Sequence, residues 1–65
     1  MTEAELKREK AAFKAFFATK QAFSGVLRVR VVEIKGALRF VAEISGSIHS
    51  LWKHARRGTG YVRID

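Results

Sequence analysis

The chain has 65 residues, and its 13 Lys and Arg residues against 6 Asp and Glu give a formal net charge of +7. So short a chain forms one domain at most, residues 1–65, and buries only about 60% of the surface that it exposes when unfolded. The absence of cysteine excludes a disulfide-stapled secreted domain. No apolar run approaches the ~20 residues of a membrane span, and the acidic opening at Glu3 and Glu5 is unlike a signal peptide. The sequence therefore predicts a cytoplasmic protein.

The first segment, from Thr2 to about Phe23, has the pattern of an amphipathic helix. Thr2 and Glu5 have the spacing of a capping box, in which a hydroxyl and a carboxylate each bind an unpaired backbone amide. Ser24-Gly25 is typical of a helix C-terminus. At 100° per residue, one helix face collects the apolar side chains Leu6, Ala12, Phe13, Phe16, Phe17 and Phe23.

The next segment, from Val26 to Ile44, alternates as two strands of an antiparallel hairpin with Lys35-Gly36 as a two-residue loop. This register pairs the apolar residues of one face, which are Leu27 with Ile44, Val29 with Ala42, and Val31 with Phe40. On the other face it places Arg28 opposite Glu43, a favourable cross-strand charge pair. The apolar face of the hairpin is expected to pack against the helix.

The last third of the chain favours a second, short helix and then a strand. Ser45-Gly46-Ser47 offers an N-cap, and Ile48, Leu51, Trp52 and Ala55 follow at helical spacing as far as Arg56-Arg57-Gly58. The alternating residues 61–64 suggest a third strand that either pairs with the hairpin or joins a neighbouring subunit. The predicted fold is therefore α+β, in the order α-β-β-α-β.

Catalytic and metal-binding groups are scarce, and we predict neither an enzyme nor a cofactor. His49 and His54 stand five residues apart, which on a helix directs them to different sides. On the same helix, adjacent His49 and Ser50 diverge too far to act as a dyad. The register places Glu33 and Glu43 on opposite faces, so they cannot act as paired carboxylates.

Positive charge is the strongest signal, and it gathers in two candidate binding surfaces. Arg28, Arg30 and Arg39 share one face of the hairpin, where guanidinium groups can contact phosphates. Val32, Val41 and Ile34 make that face unusually apolar for a solvated surface, so a protein partner fits it equally well. Lys53, Arg56 and Arg57 form the densest basic cluster, beside the Gly-Thr-Gly loop at 58–60.

A third basic group lies on the first helix, where Lys7, Lys10 and Lys14 form a stripe beside the apolar face, with Arg8 and Lys20 nearby. We interpret this stripe as a solvated helix face rather than as a membrane-surface helix, because the hairpin needs the phenylalanines of the same helix to cover it.

Two hypotheses follow for the function. The first is a small nucleic-acid-binding accessory or regulatory protein that contacts phosphates without catalysis; its contact residues are Arg28, Arg30, Arg39, Lys53, Arg56 and Arg57. The second is a protein-interaction module that binds an acidic partner, such as an inhibitor, an antitoxin-like regulator or a small subunit of a complex. So small a core also favours a homo-oligomer.

Overall fold

A computed structural model describes residues 2–20 and 24–65 and shows one helix followed by four strands. The elements are α1 (Glu3–Lys20), β1 (Leu27–Ile34), β2 (Ala37–Ile44), β3 (Ser47–His54) and β4 (Tyr61–Arg63). The strands form a single antiparallel sheet in the order β1-β2-β3-β4, so that each strand lies beside its neighbours in sequence. The α+β class is confirmed, whereas the predicted order α-β-β-α-β is wrong.

The N-terminal helix begins at the predicted capping box. The Thr2 hydroxyl accepts a hydrogen bond from the Glu5 amide at 3.2 Å, and the Glu5 carboxylate accepts one from the Thr2 amide at 3.3 Å. The Thr2 hydroxyl also donates to the Glu5 carboxylate at 3.0 Å. This bond, followed by the one from the Thr2 amide, lowers the pKa of Glu5. The helix is described as far as Lys20, and the predicted C-terminal residue Phe23 lies outside the described residues.

The first hairpin has the predicted register from Leu27↔Ile44 to Ile34↔Ala37. Lys35 and Gly36 form its two-residue turn with φ values of 52° and 77°. Positive φ at both positions is the geometry whose twist matches that of the flanking strands. The Arg28↔Glu43 backbone pairing is also confirmed, but the Glu43 carboxylate lies 3.7 Å from Nη1 of Arg30, one diagonal step away.

The predicted second helix is wrong, because Ser47–His54 forms the strand β3. Ser45 and Gly46 are not a helix cap but a second two-residue turn, with φ values of 50° and 83°. The turn brings β3 against β2, with Phe40 opposite Trp52 and Val41 opposite Leu51. Ile48 and Leu51, predicted to share a helix face with Trp52, therefore leave it: Ile48 is exposed, and Leu51 lies on the other side of the sheet.

The strand predicted near the C-terminus is present as β4, and it pairs within the chain. It lies antiparallel to β3, with Tyr61 opposite His54 and Val62 opposite Lys53. The loop before it is closed by the Ala55 amide, which donates to the Gly60 carbonyl at 2.9 Å. A hydrogen bond from the Ile64 amide to the Leu51 carbonyl continues the contact beyond the strand.

The hydrophobic core lies between α1 and one face of the sheet, which we call the inner face. Phe13 and Phe17 of the helix are fully buried, together with Phe40. The Phe13 ring stacks on Phe40 at 5.1 Å and meets the edge of Tyr61 at 5.0 Å. The remaining members of the core cluster are Val29, Ala42 and Trp52. The predicted packing of the phenylalanines against the hairpin is confirmed for Phe13 and Phe17, whereas Ala12 is exposed.

A polar contact between helix and sheet lies beside this core. Oε1 of Glu9 is 3.0 Å from Nε2 of His54, whose ring stacks on Tyr61 at 5.1 Å. Burial, with a smaller contribution from the Glu9 charge, raises the pKa of Tyr61. The contact joins the first half of the helix to the end of β3.

Candidate nucleic-acid interface

The sheet has a second face, turned away from α1, which we call the outer face. Strand alternation defines it: Val29, Phe40 and Trp52 belong to the core, so their neighbours in sequence point to the opposite side. The outer face carries Arg28, Arg30, Val32 and Ile34 of β1, Ala37, Arg39, Val41 and Glu43 of β2, Ile48, Leu51 and Lys53 of β3, and Val62 of β4. Ile48 is on this face because the register of β2 and β3 shifts between Ala42 and Glu43, which makes Ile48 the partner of Glu43. Among the described residues, no element packs over the outer face.

The change of β3 from helix to strand brings Lys53 onto this face. Arg39 precedes Phe40 and Lys53 follows Trp52; because Phe40 and Trp52 are cross-strand partners, the two basic residues lie side by side. Like charges in this position destabilise a sheet. Within the described part of the chain, neither residue has a carboxylate within 4.0 Å. The pair is therefore a local concentration of uncompensated positive charge.

The three arginines of the face differ in how free their guanidinium groups are. Arg28 is exposed. Arg30 is also largely exposed, and its contact with Glu43 at 3.7 Å is long for a hydrogen-bonded ion pair. Arg39 is half-buried, and its Nη1 donates to the Leu38 carbonyl at 2.9 Å. Even so, a guanidinium has five N–H donors, so Arg39 keeps donors for a ligand.

The predicted cluster of Lys53, Arg56 and Arg57 is divided by the structure. Arg56 and Arg57 are exposed in the loop between β3 and β4, while Lys53 belongs to the sheet. The loop leaves the sheet at the end where the Lys35-Gly36 turn joins β1 to β2. The arginines of the loop therefore extend the positive charge of Arg39 and Lys53 past the rim of the sheet.

The apolar residues of the outer face alternate with the basic ones. Val41 is buried with an exposed fraction of 7%, even though no helix covers it, because its neighbours Arg30 and Leu51 flank it on the adjacent strands. At the margins, Val62 is 44% exposed, Ile34 55% and Ile48 65%. The predicted mixture of arginine and aliphatic residues on this face is thus present, with its best covered residue at the centre.

Two modes of nucleic-acid recognition have little support from this geometry. None of the described aromatic residues lies on the outer face, because Phe40, Trp52 and Tyr61 all join the inner face, so the face offers no platform for base stacking. The β1-β2 hairpin is also not a free two-stranded ribbon, since β3 occupies the other side of β2. A four-stranded sheet is too broad for the major groove, which admits a helix or a two-stranded ribbon.

The helix stripe of Lys7, Lys10 and Lys14 is separate from the outer face. All three side chains are exposed, as is Arg8. Nζ of Lys20 lies 5.7 Å from the centre of the Phe16 ring, a cation–π distance. The first half of the stripe borders a groove of about 330 Å³ between α1 and β1, whose lining includes Lys7, Lys10 and Arg30.

Of the residues considered for chemistry, the histidine–serine pair is arranged differently from the prediction and the glutamate pair is arranged as predicted. His49 and Ser50, expected to diverge on a helix, are in contact, with Nδ1 of His49 3.0 Å from Oγ of Ser50. That hydroxyl is fully buried and accepts the indole N–H of Trp52 at 2.6 Å, so it has no open side for a substrate. Glu33 and Glu43 are on opposite faces, as predicted. No group of three or more potential metal ligands occurs among the described residues.

The last strand is held by a carboxylate. Asp65 accepts hydrogen bonds from Nε of Arg63 at 2.7 Å and from its Nη2 at 3.2 Å, and it also receives the Leu51 amide at 3.3 Å. The Arg63 guanidinium is the largest cause that lowers the pKa of Asp65 to about 2. Because the Arg63 guanidinium is paired with Asp65, Arg63 does not belong to the basic residues that we assign to the binding surface.

In the described part of the chain, no helix is long and apolar enough to cross a membrane. Comparison of the chain with protein-family models, with curated proteins and with solved structures gave no match.

Proposed function

We propose that the protein binds nucleic acid through its outer face and the β3-β4 loop, contacting the phosphate backbone without catalysis. The observation that carries this proposal is the side-by-side placement of Arg39 and Lys53 on an open sheet face. Such a pair costs stability in the free protein. An anionic ligand bound across both side chains removes this repulsion. Binding therefore becomes more favourable by the free energy that the repulsion costs the free protein.

The contacts expected are those with phosphates rather than with bases. The basic side chains of the face are Arg28, Arg30, Arg39 and Lys53, and the loop adds Arg56 and Arg57. Arginine and lysine neutralise phosphates and release their counterions, and this release supplies most of the sequence-independent affinity of such proteins. The lack of aromatic residues on the described outer face argues against base stacking, which leaves backbone contact as the dominant mode.

A second candidate function uses the same face for an acidic protein. Val62 and Ile34 are exposed at its margins, and Val32 and Leu51 are half-buried between the basic residues. A centre of aliphatic residues with a charged rim is the usual anatomy of a protein interface. We rank this function second because the central residue, Val41, is already buried by its neighbours, so that the exposed apolar area is divided among separate residues at the margins, Ile34, Ile48 and Val62.

The test is binding of labelled duplex DNA, single-stranded DNA and RNA, measured by fluorescence anisotropy at about 50 and 200 mM salt. We expect micromolar or tighter binding to at least one polymer, with an affinity that falls steeply with salt. Lys53→Gln and Arg57→Ala should each weaken all sequences about equally and reduce the salt slope by about 1. Lys14→Gln removes a charge from the helix, away from the outer face, and is the matched control.

Two results would count against the proposal. No binding to any polymer at low salt would exclude phosphate contact. Equal losses in Lys53→Gln and Lys14→Gln would mean that only the net charge matters and that the outer face is not the site. The second candidate function predicts instead that Val62→Asp abolishes capture of an acidic protein, while Arg57→Ala is tolerated.

A further inference from the structure

Within residues 2–20 and 24–65, strand β1 pairs with β2 only and is therefore an edge of the sheet. The Ser45 amide donates to the Val26 carbonyl at 2.9 Å, so these two residues form a hydrogen-bonded pair. Such pairs occur at every second residue of an antiparallel ladder. The backbone groups of Arg28, Arg30 and Val32 therefore face β2. Those of the alternate residues point outward to the free edge, namely Leu27, Val29, Val31 and Glu33.

The free edge lies beside the groove between α1 and β1. One wall is the first half of the helix, with Glu3, Leu6, Lys7 and Lys10, and the other is residues 30–32 of the strand. The groove has a volume of about 330 Å³. Proteins that bind peptides by strand addition use this arrangement: backbone hydrogen bonds to an edge strand give affinity, and side-chain sites at alternate positions give specificity.

The charge of the groove indicates the composition of its ligand. Lys7, Lys10 and Arg30 are exposed basic residues, against the single acid Glu3. Between them, Leu6 and Val31 are half-buried and present aliphatic surface. An added strand that alternates acidic and aliphatic residues would satisfy both. A carboxylate would meet Arg30 on the outer side, and an aliphatic side chain would meet Leu6 and Val31 on the helix side.

A second copy of this chain fits the edge less well. Pairing β1 with β1 of another copy would bring Arg28 and Arg30 of both chains together on the outer side of the joined sheet. Like charges on neighbouring strands are destabilising, and charged side chains on an edge strand are a common device against self-association. The same residues attract an acidic segment.

We propose that the groove between α1 and β1 binds an extended acidic segment of a partner protein, which adds to the sheet as a further strand beside β1. This site goes beyond phosphate contact by the outer face, although Arg30 and Val32 border both surfaces. Because the two surfaces share this border, each ligand would change the affinity for the other. Only the peptide, however, would form hydrogen bonds with the backbone of the free edge.

The probe is a synthetic peptide of about ten residues that alternates Glu and Val, labelled for fluorescence anisotropy; this length spans an eight-residue strand with a margin. We expect a dissociation constant in the range of about 1–100 μM. The same peptide with Lys in place of Glu should show no binding. Arg28→Gln with Arg30→Gln should weaken binding about tenfold, because both side chains lie on the side of β1 where the carboxylates of the added strand would lie. The control Arg8→Gln with Lys14→Gln, which removes the same charge from the helix outside the groove, should leave binding within about twofold.

Two further peptides test strand addition without altering the protein. In one, the amides of all Glu residues are N-methylated, and in the other those of all Val residues. Only one set of amides can face β1, so one peptide should lose binding and the other should keep it. Equal binding by both would show electrostatic attraction without backbone pairing and would overturn the proposal.

Amide hydrogen exchange locates the contact. In the free protein, the amides of Val29 and Val31 should exchange faster than those of Arg30 and Val32, and the Glu-Val peptide should slow Val29 and Val31 selectively. The proposal would be overturned if the peptide did not slow exchange at these amides, or if duplex DNA slowed it instead. It would also be overturned if exchange were already slow in the free protein and sedimentation showed dimers, because the edge would then be an interface between two copies of the chain.

Discussion

The indole N–H of Trp52 donates to Oγ of Ser50 at 2.6 Å, and both side chains are buried on the inner face of the sheet. The two residues are separated by one position on β3 and therefore point the same way. Nδ1 of His49 also lies 3.0 Å from that hydroxyl. The contact supplies the acceptor that a buried indole requires, from the only buried polar side chain of the described core.

Ser50→Ala should leave the indole N–H buried without an acceptor. We expect the free energy of unfolding to fall by about 1–3 kcal/mol, measured by urea denaturation. Ser47→Ala is the matched control, because Ser47 is an exposed serine of the same strand and its replacement should change stability by about 0.5 kcal/mol at most. Equal effects of the two changes would mean that the hydrogen bond contributes nothing.

Phe13→Ala should remove most of the stability of the domain. Its ring contacts Phe16, Phe17, Phe40, Trp52 and Tyr61. Truncation of a buried phenylalanine costs about 3–5 kcal/mol, and a domain of this length has about 3–10 kcal/mol in total. We expect a largely unfolded protein by circular dichroism. The half-buried Phe16 provides the comparison, since Phe16→Ala should leave a folded protein with a lower melting temperature.

Gly25→Ala should be more destabilising than Gly36→Ala. Both glycines have positive φ, 107° and 77°, so both substitutions carry backbone strain. A Cβ at Gly25 would in addition collide with Oγ of Ser45 and come within 3.3 Å of Cγ2 of Ile44, whereas nothing lies within 4 Å of a Cβ at Gly36. We expect about 1–3 kcal/mol for Gly25→Ala and a smaller loss for Gly36→Ala, by urea denaturation. The reverse order would refute the packing of Gly25 on the β2-β3 turn.

Lys53→Gln should stabilise the free protein while weakening its binding to nucleic acid. Removing one of two adjacent like charges should raise the free energy of unfolding by about 0.2–1 kcal/mol at low salt. The gain should shrink in high salt, where the repulsion is screened. Lys14→Gln should show neither effect. A loss of stability in Lys53→Gln would contradict the proposed repulsion between Arg39 and Lys53.

The hydrogen bonds of Asp65 should weaken in acid. The Arg63 guanidinium lowers its pKa from 3.8 to about 2, so the folded state holds the ionised carboxylate more strongly than the unfolded state does. The stabilisation is present in full above about pH 4 and is lost as the pH falls through 2. NMR titration should give a midpoint near 2 for Asp65, and Arg63→Gln should return it towards 3.8. An unchanged midpoint in that variant would contradict the assigned cause.

The first two thirds of the fold could be predicted from the sequence because each pattern there has one interpretation. The Thr2–Glu5 spacing indicates a helix start, and only one register of the hairpin places Val29, Val31 and Phe40 on the same face. The Arg28, Arg30 and Arg39 face followed from that register. These predictions depend on residues that lie close in sequence or opposite each other across a tight turn.

The segment from Ser47 to His54 was mispredicted because its apolar residues suit two periods. Ile48, Leu51 and Trp52 have the spacing of one helix face. Ser50 and Trp52 have the alternation of a strand with one buried face. The segment is too short for its apolar residues to distinguish the two periods. The missed signal was Ser45-Gly46, which repeats the pattern of Lys35-Gly36 between two strands. The placement of Lys53 beside Arg39 could not be predicted without that strand.

The order of the strands has a consequence for folding kinetics. Each strand pairs with the next along the chain, so the sheet can form by successive closure of short loops, a topology of low contact order that favours rapid folding. The loop 55–60 between β3 and β4 is longer than the two-residue turns, and β4 has only three residues. Local unfolding should therefore start at β4. It would expose part of the Trp52 side chain and the edge of β3 to solvent before the rest of the domain unfolds.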